Sequence, residues 1–173
     1  NLSGVIIGQI EVISRVATAF SEFAQLPKRN DEEINLNREI RNVLTIFSDE
    51  NIFIHASHDN IMMKIDKDYL ARIIINLVTN ASQAKADNRK SVINVDIEKI
   101  EKRIKIIVND NGVGISPDKL EKIFDPNFTS KNSGMGIGLT MVKRMVEDYN
   151  GTITVVSEVD KGATFTISMP SNL

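Results

Sequence analysis

The stretch DNGVGISPDKLEKIFDPNFTSKNSGMGIGL, residues 110–139, contains two glycine clusters separated by a short helical segment and a polar loop. Glycine lets a backbone approach a ligand closely and adopt positive φ without strain. Successive N–H groups at the start of a helix favour phosphate oxygens. Asp110, at the predicted end of a strand, can accept a hydrogen bond from an exocyclic amine. The stretch predicts a nucleotide site, although it holds neither a P-loop nor a GxGxxG dinucleotide fingerprint.

The composition of the whole chain limits the possible partners and compartments. The 173 residues are 42% hydrophobic and 25% charged, which suits one compact domain with room for one appended element. A net charge of −2 gives no support for nucleic acid or an anionic membrane as a partner. There are no cysteines, so disulfides and thiolate metal sites are excluded. No apolar run approaches the ~20 residues of a membrane span, so we expect a cytoplasmic fragment and leave membrane anchoring of its parent open.

The first part of the chain has the pattern of a long helix. Residues 5–26 carry two adjacent apolar stripes at helical spacing, and together these form a face wider than a two-stranded seam requires. We predict a helix of a helical bundle, packed on another helix of the parent chain or on a symmetry mate, with an ordinary core helix of the same globule as the alternative. Pro27 and the polar residues after it end the helix. The predicted units are this helix over 1–27, a linker over 28–33 and a globular domain over 34–173. Because the chain begins at Asn1 without a methionine or signal-peptide pattern, we expect it to be a piece of a longer protein.

Several short elements are predicted next. Residues 34–36 fit a short edge strand, and residues 52–54 and 62–65 fit two strands around a polar turn. His55 and His58 lie in or beside that turn, where solvated side chains are favoured over a metal site because no third ligand is evident.

The helix predicted from Asp66 to Ala84 has Asp66 as its N-cap and one continuous apolar face. Asn76 and Asn80 are four residues apart, so they lie on one line beside this face. Asparagine is a mediocre helix former, so the pair suggests a function, although two solvated surface asparagines would give the same pattern.

The remaining elements predict a sheet and a covering helix. Alternating residues over 93–98 and 104–109 predict a hairpin that ends at Asp110, and residues 152–157 and 163–169 predict a second hairpin. Ser116 and Pro117 suit the start of a short helix that extends to Phe124. A further helix follows Gly138 and ends at Asn150-Gly151.

Four of these motifs, in this order, resemble the nucleotide-binding boxes of sensor histidine kinases. Residues 76–81 resemble the N box, 110–114 the first glycine box, 124–131 the F box with the start of the ATP lid, and 134–139 the second glycine box. The resemblance covers about residues 34–170. Residues 5–26, especially 22–27, resemble the end of the second dimerisation helix in the nitrogen-regulation type of these kinases. The resemblance therefore implies a partial dimerisation helix over 1–27 and a catalytic ATP-binding domain over 34–173. It implies the Bergerat ATP-binding fold, an α/β two-layer sandwich of a mixed β-sheet with helices on one face.

The resemblance also implies which residues bind ATP and Mg²⁺. Asp110 would accept the adenine amino group, for which guanine would present a carbonyl, and Asn80 would bind Mg²⁺. The other implied contacts, to purine or phosphates, are Asn76, Gly112, Gly114, Thr129, Ser130, Lys131, Gly134, Gly136, Gly138 and Thr164. A solvated lysine is the alternative for Lys131. Two positions depart from the residues common in the family. Asn127 stands where an aromatic residue is common, which affects the packing of the lid. Gln83 stands where a basic residue is common, which affects one phosphate contact.

Position 76 separates the kinases from the ATP-hydrolysing members of the superfamily. Those relatives carry a glutamate as general base four residues before the metal-binding asparagine, whereas this chain has Asn76. A carboxamide cannot accept a proton from water at neutral pH, so phosphoryl transfer to another acceptor is favoured over hydrolysis. The phosphoacceptor histidine of such kinases lies on a bundle helix that this chain does not include.

We therefore predict the ATP-dependent catalytic part of a two-component sensor histidine kinase. Its expected partners are the phosphoacceptor-bearing dimerisation helices of the parent, which is expected to be a homodimer, and a response-regulator receiver domain. One alternative is an ATP-hydrolysing machine domain of the same fold, which rapid turnover by the chain would favour. The other is a nucleotide-free scaffold that docks partner proteins, which the intact Asp110 and Asn80 argue against.

Overall fold

The computed structural model describes residues 28–48, 50–126, 128 and 136–171. The helix predicted over residues 5–26 lies outside these ranges, so the predicted division into a helix, a linker and a catalytic domain stays a prediction. Among the described residues, no helix is both long and apolar enough to cross a membrane.

The described chain alternates short strands and helices. The strands are β1 (Glu32–Asn35), β2 (Ile52–Ala56), β3 (Met62–Ile65), β4 (Ile93–Ile100), β5 (Arg103–Asp110), β6 (Thr152–Glu158) and β7 (Gly162–Pro170). The helices are α1 (Leu36–Leu44), followed by one 3₁₀ turn (Thr45–Phe47), then α2 (Lys67–Gln83), α3 (Pro117–Leu120) and α4 (Gly138–Glu147).

Five strands form one mixed sheet in the order β2-β4-β5-β7-β6. The β2–β4 pair is parallel and the other pairs are antiparallel. Alternate residues of β4, β5 and β7 are buried, since one face of the sheet carries the core. The apolar faces of α2 and α4 are buried in the same core. This confirms the predicted α/β sandwich with helices on one face.

Local chemistry explains where the long helix α2 begins. The side chain of Asp66 accepts hydrogen bonds from the backbone N–H groups of Asp68 (2.8 Å) and Tyr69 (3.1 Å), which confirms it as the N-cap. Burial opposes the ionised form of Asp66, but backbone donors outweigh that effect and lower its pKa.

Two local predictions differ from the structure. The first strand covers Glu32–Asn35 rather than 34–36, because it pairs antiparallel with β3 in a separate two-stranded sheet. The helix after Ser116 ends at Leu120, and turns continue the chain to Phe124. The two strands predicted around a polar turn are both present as β2 and β3, and they belong to different sheets.

Residues 29–31 are attached to the domain through Tyr149, just after the end of α4. The Tyr149 hydroxyl donates to a carboxylate oxygen of Asp31 and accepts the backbone N–H of Asp66 at 2.9 Å. The guanidinium of Arg29 lies 4.4 Å from the centre of the Tyr149 ring. The backbone N–H of Asn30 donates to the second carboxylate oxygen of Asp66 at 2.6 Å. The segment that leads into β1 is therefore bound to the start of α2 and the end of α4.

We expect the substitution Tyr149→Phe to lower the free energy of unfolding by about 1–3 kcal/mol, because it leaves the N–H of Asp66 without its buried acceptor. Chemical denaturation measures the loss. The control is Glu32→Ala, which removes a carboxylate 3.2 Å from Lys67, where both side chains are more than 40% exposed. An exposed pair of this kind contributes well under about 1 kcal/mol. Equal losses in the two variants would contradict the role assigned to the hydroxyl.

Candidate nucleotide-binding site

Asp110 is the central polar residue of the candidate site. It ends β5 on the core side of the sheet and is only 4% exposed. Its Oδ1 accepts the backbone N–H of Gly112 at 2.8 Å, and the backbone N–H of Ala163 on β7 also donates to the carboxylate. Burial raises the pKa of Asp110, and these two N–H donors oppose the increase without cancelling it. The two hydrogen bonds fix the orientation of the carboxylate. They compensate only part of the cost of burying its negative charge.

The first glycine cluster packs against the end of α2. A Cβ added to Gly112 would lie 2.1 Å from the carbonyl oxygen of Ala84, so only glycine fits there. The N–H of Val113 donates to the same oxygen at 2.8 Å, and the N–H of Ala84 donates to the carbonyl of Asn80 at 3.1 Å. The loop after Asp110 is therefore joined directly to the turn of α2 that carries Asn80.

The turn between β6 and β7 closes over the other side of this loop. Gly162 has a φ of +103°, and a Cβ there would lie 1.9 Å from the carbonyl oxygen of Asp110. The N–H of Asp160 donates to the carbonyl of Val113 at 2.8 Å. The Ser157 hydroxyl accepts the N–H of Ile115 at 2.8 Å and donates to the carbonyl of Gly162 at 2.7 Å. The loop is thus held on this side by one backbone hydrogen bond and by the hydroxyl of Ser157, opposite its contacts with the end of α2.

The second glycine cluster brings the start of α4 to Asn76. Gly138 is the first residue of α4, and a Cβ added there would lie 2.5 Å from the Oδ1 of Asn76. The Nδ2 of Asn76 donates to the carbonyl of Arg72 at 2.8 Å, which holds the amide group in place. Gly136, two residues earlier, has a φ of +66°. The amide of Asn76 therefore contacts the start of α4, and Asn80 lies one helical turn further along α2.

The segment before the second cluster is attached to α4. The hydroxyl of Thr140 donates to the carbonyl of Phe124 at 3.1 Å, and the rings of Phe124 and Phe128 pack against the core while partly exposed. Four predicted contacts of the lid, Thr129, Ser130, Lys131 and Gly134, lie outside the described residues. Their predicted roles remain predictions.

The side chain of Thr164, for which the resemblance implies a purine contact, lies on the other face of the sheet from Asp110, and its implied contact stays a prediction. The hydroxyl of Thr164 accepts a hydrogen bond from the Nδ2 of Asn109 at 2.8 Å, across the β5–β7 pair. Because neighbouring residues of a strand point to opposite faces, Asn109 and Thr164 lie on the face away from the buried Asp110. The residue that contacts Asp110 is Ala163, through its backbone N–H. Sequence reasoning missed this residue because a main-chain donor leaves no trace in the side-chain pattern.

The described residues contain no group of three or more His, Cys, Asp or Glu side chains that could hold a metal ion. His55 and His58 are exposed, and the Nδ1 of His58 lies 2.9 Å from the hydroxyl of Ser57. One amide oxygen such as that of Asn80 suits Mg²⁺, because this ion keeps several waters and takes other ligands from substrate phosphates.

The profile of the family described as "Histidine kinase-, DNA gyrase B-, and HSP90-like ATPase" matches residues 65–173, which is more than half of the chain. The buried carboxylate, the paired asparagines and the two glycine clusters all lie in this range. The chain belongs to this family, and its kinase-like relatives identify it as a histidine kinase-type ATP-binding domain.

Two curated relatives are sensor or sporulation kinases. Sensor histidine kinase ZraS of Escherichia coli (strain K12) is 33% identical over 178 residues, which cover 99% of this chain and 38% of the relative. Sporulation kinase D of Bacillus subtilis (strain 168) is 31% identical over 169 residues, covering 91% of this chain and 33% of the relative. The chain thus spans only 33–38% of the length of these proteins.

Solved structures of histidine kinases share the fold. The nucleotide-free catalytic domain of histidine kinase ThkA has a TM-score of 0.74 and 28% identity, covering 82% of this chain and 96% of that one. A structure of ThkA in complex with response regulator protein TrrA has a TM-score of 0.75 and 25% identity, covering 99% of this chain and 52% of that one.

We expect Gly138→Ala to lower the free energy of unfolding by about 1 kcal/mol, because the new methyl group would collide with the Oδ1 of Asn76. In an Asn76→Ala background the same change meets no amide oxygen. There it should be neutral or slightly stabilising, since alanine is the better helix former. A double-mutant cycle measured by thermal denaturation separates the two cases. An equal cost in both backgrounds would contradict the contact.

The raised pKa of Asp110 predicts a characteristic pH dependence of stability. The folded state holds the proton to higher pH than the unfolded state, whose ordinary pKa is 3.8. As pH rises from 3.8 through the folded pKa, wild type should therefore lose stability relative to Asp110→Asn, and the difference should then stay constant. Chemical denaturation across pH measures this difference. A wild type that gains stability over the variant in this window would show a lowered pKa instead.

Proposed function

We propose that this chain binds Mg-ATP and presents the γ-phosphate to a histidine on a dimerisation helix of its parent, a two-component sensor histidine kinase. The observation that carries this proposal is the buried carboxylate of Asp110 at a strand end, bordered by a loop whose Gly112 has no space for a side chain. A carboxylate held by two backbone N–H donors still has oxygen lone pairs for a ligand donor. The adenine amino group is such a donor, whereas guanine offers a carbonyl at the equivalent position.

The metal and phosphate part of the proposal rests on the other side of the site. Asn80 lies one helical turn from Asn76, on the helix that contacts the start of α4. We assign to Asn80 the amide oxygen that binds Mg²⁺, and to Asn76 and the backbone of Gly136 and Gly138 the contacts around the triphosphate. The Mg²⁺ would neutralise phosphate charge during transfer. Thr129, Ser130, Lys131 and Gly134 complete the proposed lid.

Asn76 favours transfer to another protein over hydrolysis. Its amide nitrogen already donates to the carbonyl of Arg72, and its oxygen lies against Gly138. An amide in this place cannot act as the general base that a glutamate would provide for an attacking water. The two histidines of the chain, His55 and His58, lie on β2 and in the turn after it rather than on a helix. We therefore place the phosphoacceptor on another segment of the parent kinase.

The proposed partners follow from this division. The parent's dimerisation helices would bring the acceptor histidine to the γ-phosphate, with a homodimer as the expected assembly. The neighbour ThkA is described in complex with response regulator protein TrrA. By analogy, we propose that a response-regulator receiver domain takes the phosphoryl group from the histidine.

Calorimetric titration with a slowly hydrolysed ATP analogue and Mg²⁺ tests the proposal. We expect saturable binding of the adenine analogue and no comparable binding of its guanine counterpart. Asp110→Ala should weaken binding by about ten- to a hundredfold, since a hydrogen bond to a charged group contributes about 1.5–3 kcal/mol. The matched control, Asp96→Ala, removes a carboxylate from the same sheet on the face away from the core.

Each other outcome favours a stated alternative. Rapid ATP hydrolysis by the isolated chain would favour a machine domain of the same family. No binding of either nucleotide would favour a scaffold that docks partner proteins. Equal affinity in wild type and Asp110→Ala would reject the assignment of Asp110 to the adenine.

A further inference from the structure

Arg89, in the loop between α2 and β4, donates hydrogen bonds to three backbone carbonyls. Its Nε donates to the carbonyl of Asn111 at 2.6 Å, and its Nη2 donates to the carbonyls of Gly112 at 2.7 Å and Asp160 at 2.6 Å. These carbonyls come from the loop after Asp110 and from the β6–β7 turn. The half-buried guanidinium thus joins three segments that are far apart in sequence.

Two of these hydrogen bonds fix the peptide planes that follow Asp110. The peptide between residues 111 and 112 gives its C=O to Arg89 and its N–H to the Oδ1 of Asp110, at 2.8 Å. The next peptide gives its C=O to Arg89 and its N–H to the carbonyl of Ala84, also at 2.8 Å. Each peptide is therefore held at both ends, and a bond at its C=O strengthens the donor capacity of its N–H.

The charge of Arg89 explains why three carbonyl oxygens can converge at this point. Their dipoles would repel one another without a cation between them, and a guanidinium has several donors in one plane. The carbonyl of Asp160 belongs to a residue with a φ of +63°, whose N–H donates back to the carbonyl of Val113. Arg89 and this backbone hydrogen bond together attach the turn to the loop.

We propose that Arg89 is a positioning residue for the adenine-binding carboxylate. It acts through the peptide between Asn111 and Gly112, whose N–H sets the orientation of Asp110, and it has no contact with the nucleotide itself. This inference rests on the proposed function, because the ligand it serves is the adenine base. Loss of Arg89 should loosen both the hydrogen bond to Asp110 and the discrimination between adenine and guanine.

The test compares Arg89→Met with Arg103→Met. Arg103 is a matched control because its guanidinium also donates to a main-chain carbonyl, that of Ser168 at 3.0 Å, and to the hydroxyl of the same residue at 2.8 Å, but at the opposite end of β5. We expect Arg89→Met to weaken the ATP analogue and ADP by the same factor, about tenfold or more, since both share the base. Arg103→Met should leave both affinities unchanged. Added ethylguanidinium should restore part of the affinity of Arg89→Ala and none to Asp110→Ala.

A second readout needs no nucleotide. In the NMR spectrum of the free protein, the Gly112 amide proton should move upfield in Arg89→Met, as it should in Asp110→Asn, because both changes weaken its hydrogen bond. Arg89→Lys tests the same point if the methionine variant fails to fold. A single ammonium cannot hold three carbonyls in one plane, so it should give an intermediate shift and affinity.

The outcomes separate this inference from the proposed function. A wild type that binds no adenine nucleotide rejects the function, and with it the base-positioning role of Arg89. A wild type that binds, with Arg89→Met or Arg89→Lys binding as tightly, rejects this inference alone. An unmoved Gly112 amide in the Arg89 variants also rejects it, whatever the affinities are.

Discussion

The carboxylate of Asp110 is buried at the end of a central strand, and burying a charge is costly unless fixed dipoles compensate it. The compensation comes from two backbone N–H groups, one from the loop after the strand and one from Ala163 on the neighbouring strand. To place those groups, the chain must turn sharply at Gly112 and pack Gly162 against the carbonyl of Asp110. The glycine positions, the hairpin turn and the end of α2 all follow from the need to keep one carboxylate ionisable inside the core.

Backbone groups take part in each of the contacts that connect the parts of the site. The carbonyl of Ala84 joins α2 to the loop, the N–H of Asp160 joins the loop to the hairpin turn, and Asn76 lies against the first residue of α4. Close approach of main chains explains the glycines at positions 112, 138 and 162, where a Cβ would collide with a neighbouring segment. Side chains add to these contacts: the hydroxyl of Ser157 joins Ile115 to Gly162, and the guanidinium of Arg89 reaches three carbonyls.

Features encoded by nearby residues could be predicted from the sequence, whereas features that depend on distant pairing could not. The N-cap at Asp66, both hairpins and the start of α4 depend on residues within a few positions of one another, and the structure confirms them. The pairing of β1 with β3, and the parallel pairing of β2 with β4, join segments whose partners no local pattern specifies. The place of Thr164 in a motif implies a purine contact, whereas the face of the sheet on which it lies depends on the pairing of β5 with β7. Arg89 carries no local signal, because its three acceptors are main-chain atoms of remote loops.

The attachment of residues 29–31 has a practical consequence for where this domain can be cut. Secondary structure alone would suggest starting a shortened chain at Glu32, the first residue of β1. Such a truncation would take away the carboxylate that receives the Tyr149 hydroxyl, the cation over the Tyr149 ring and one of the N–H donors of Asp66. It would thus weaken the cap of the helix that carries Asn76 and Asn80, far from the cut. A boundary before Arg29 keeps these groups, so the smallest intact unit begins ahead of its first strand.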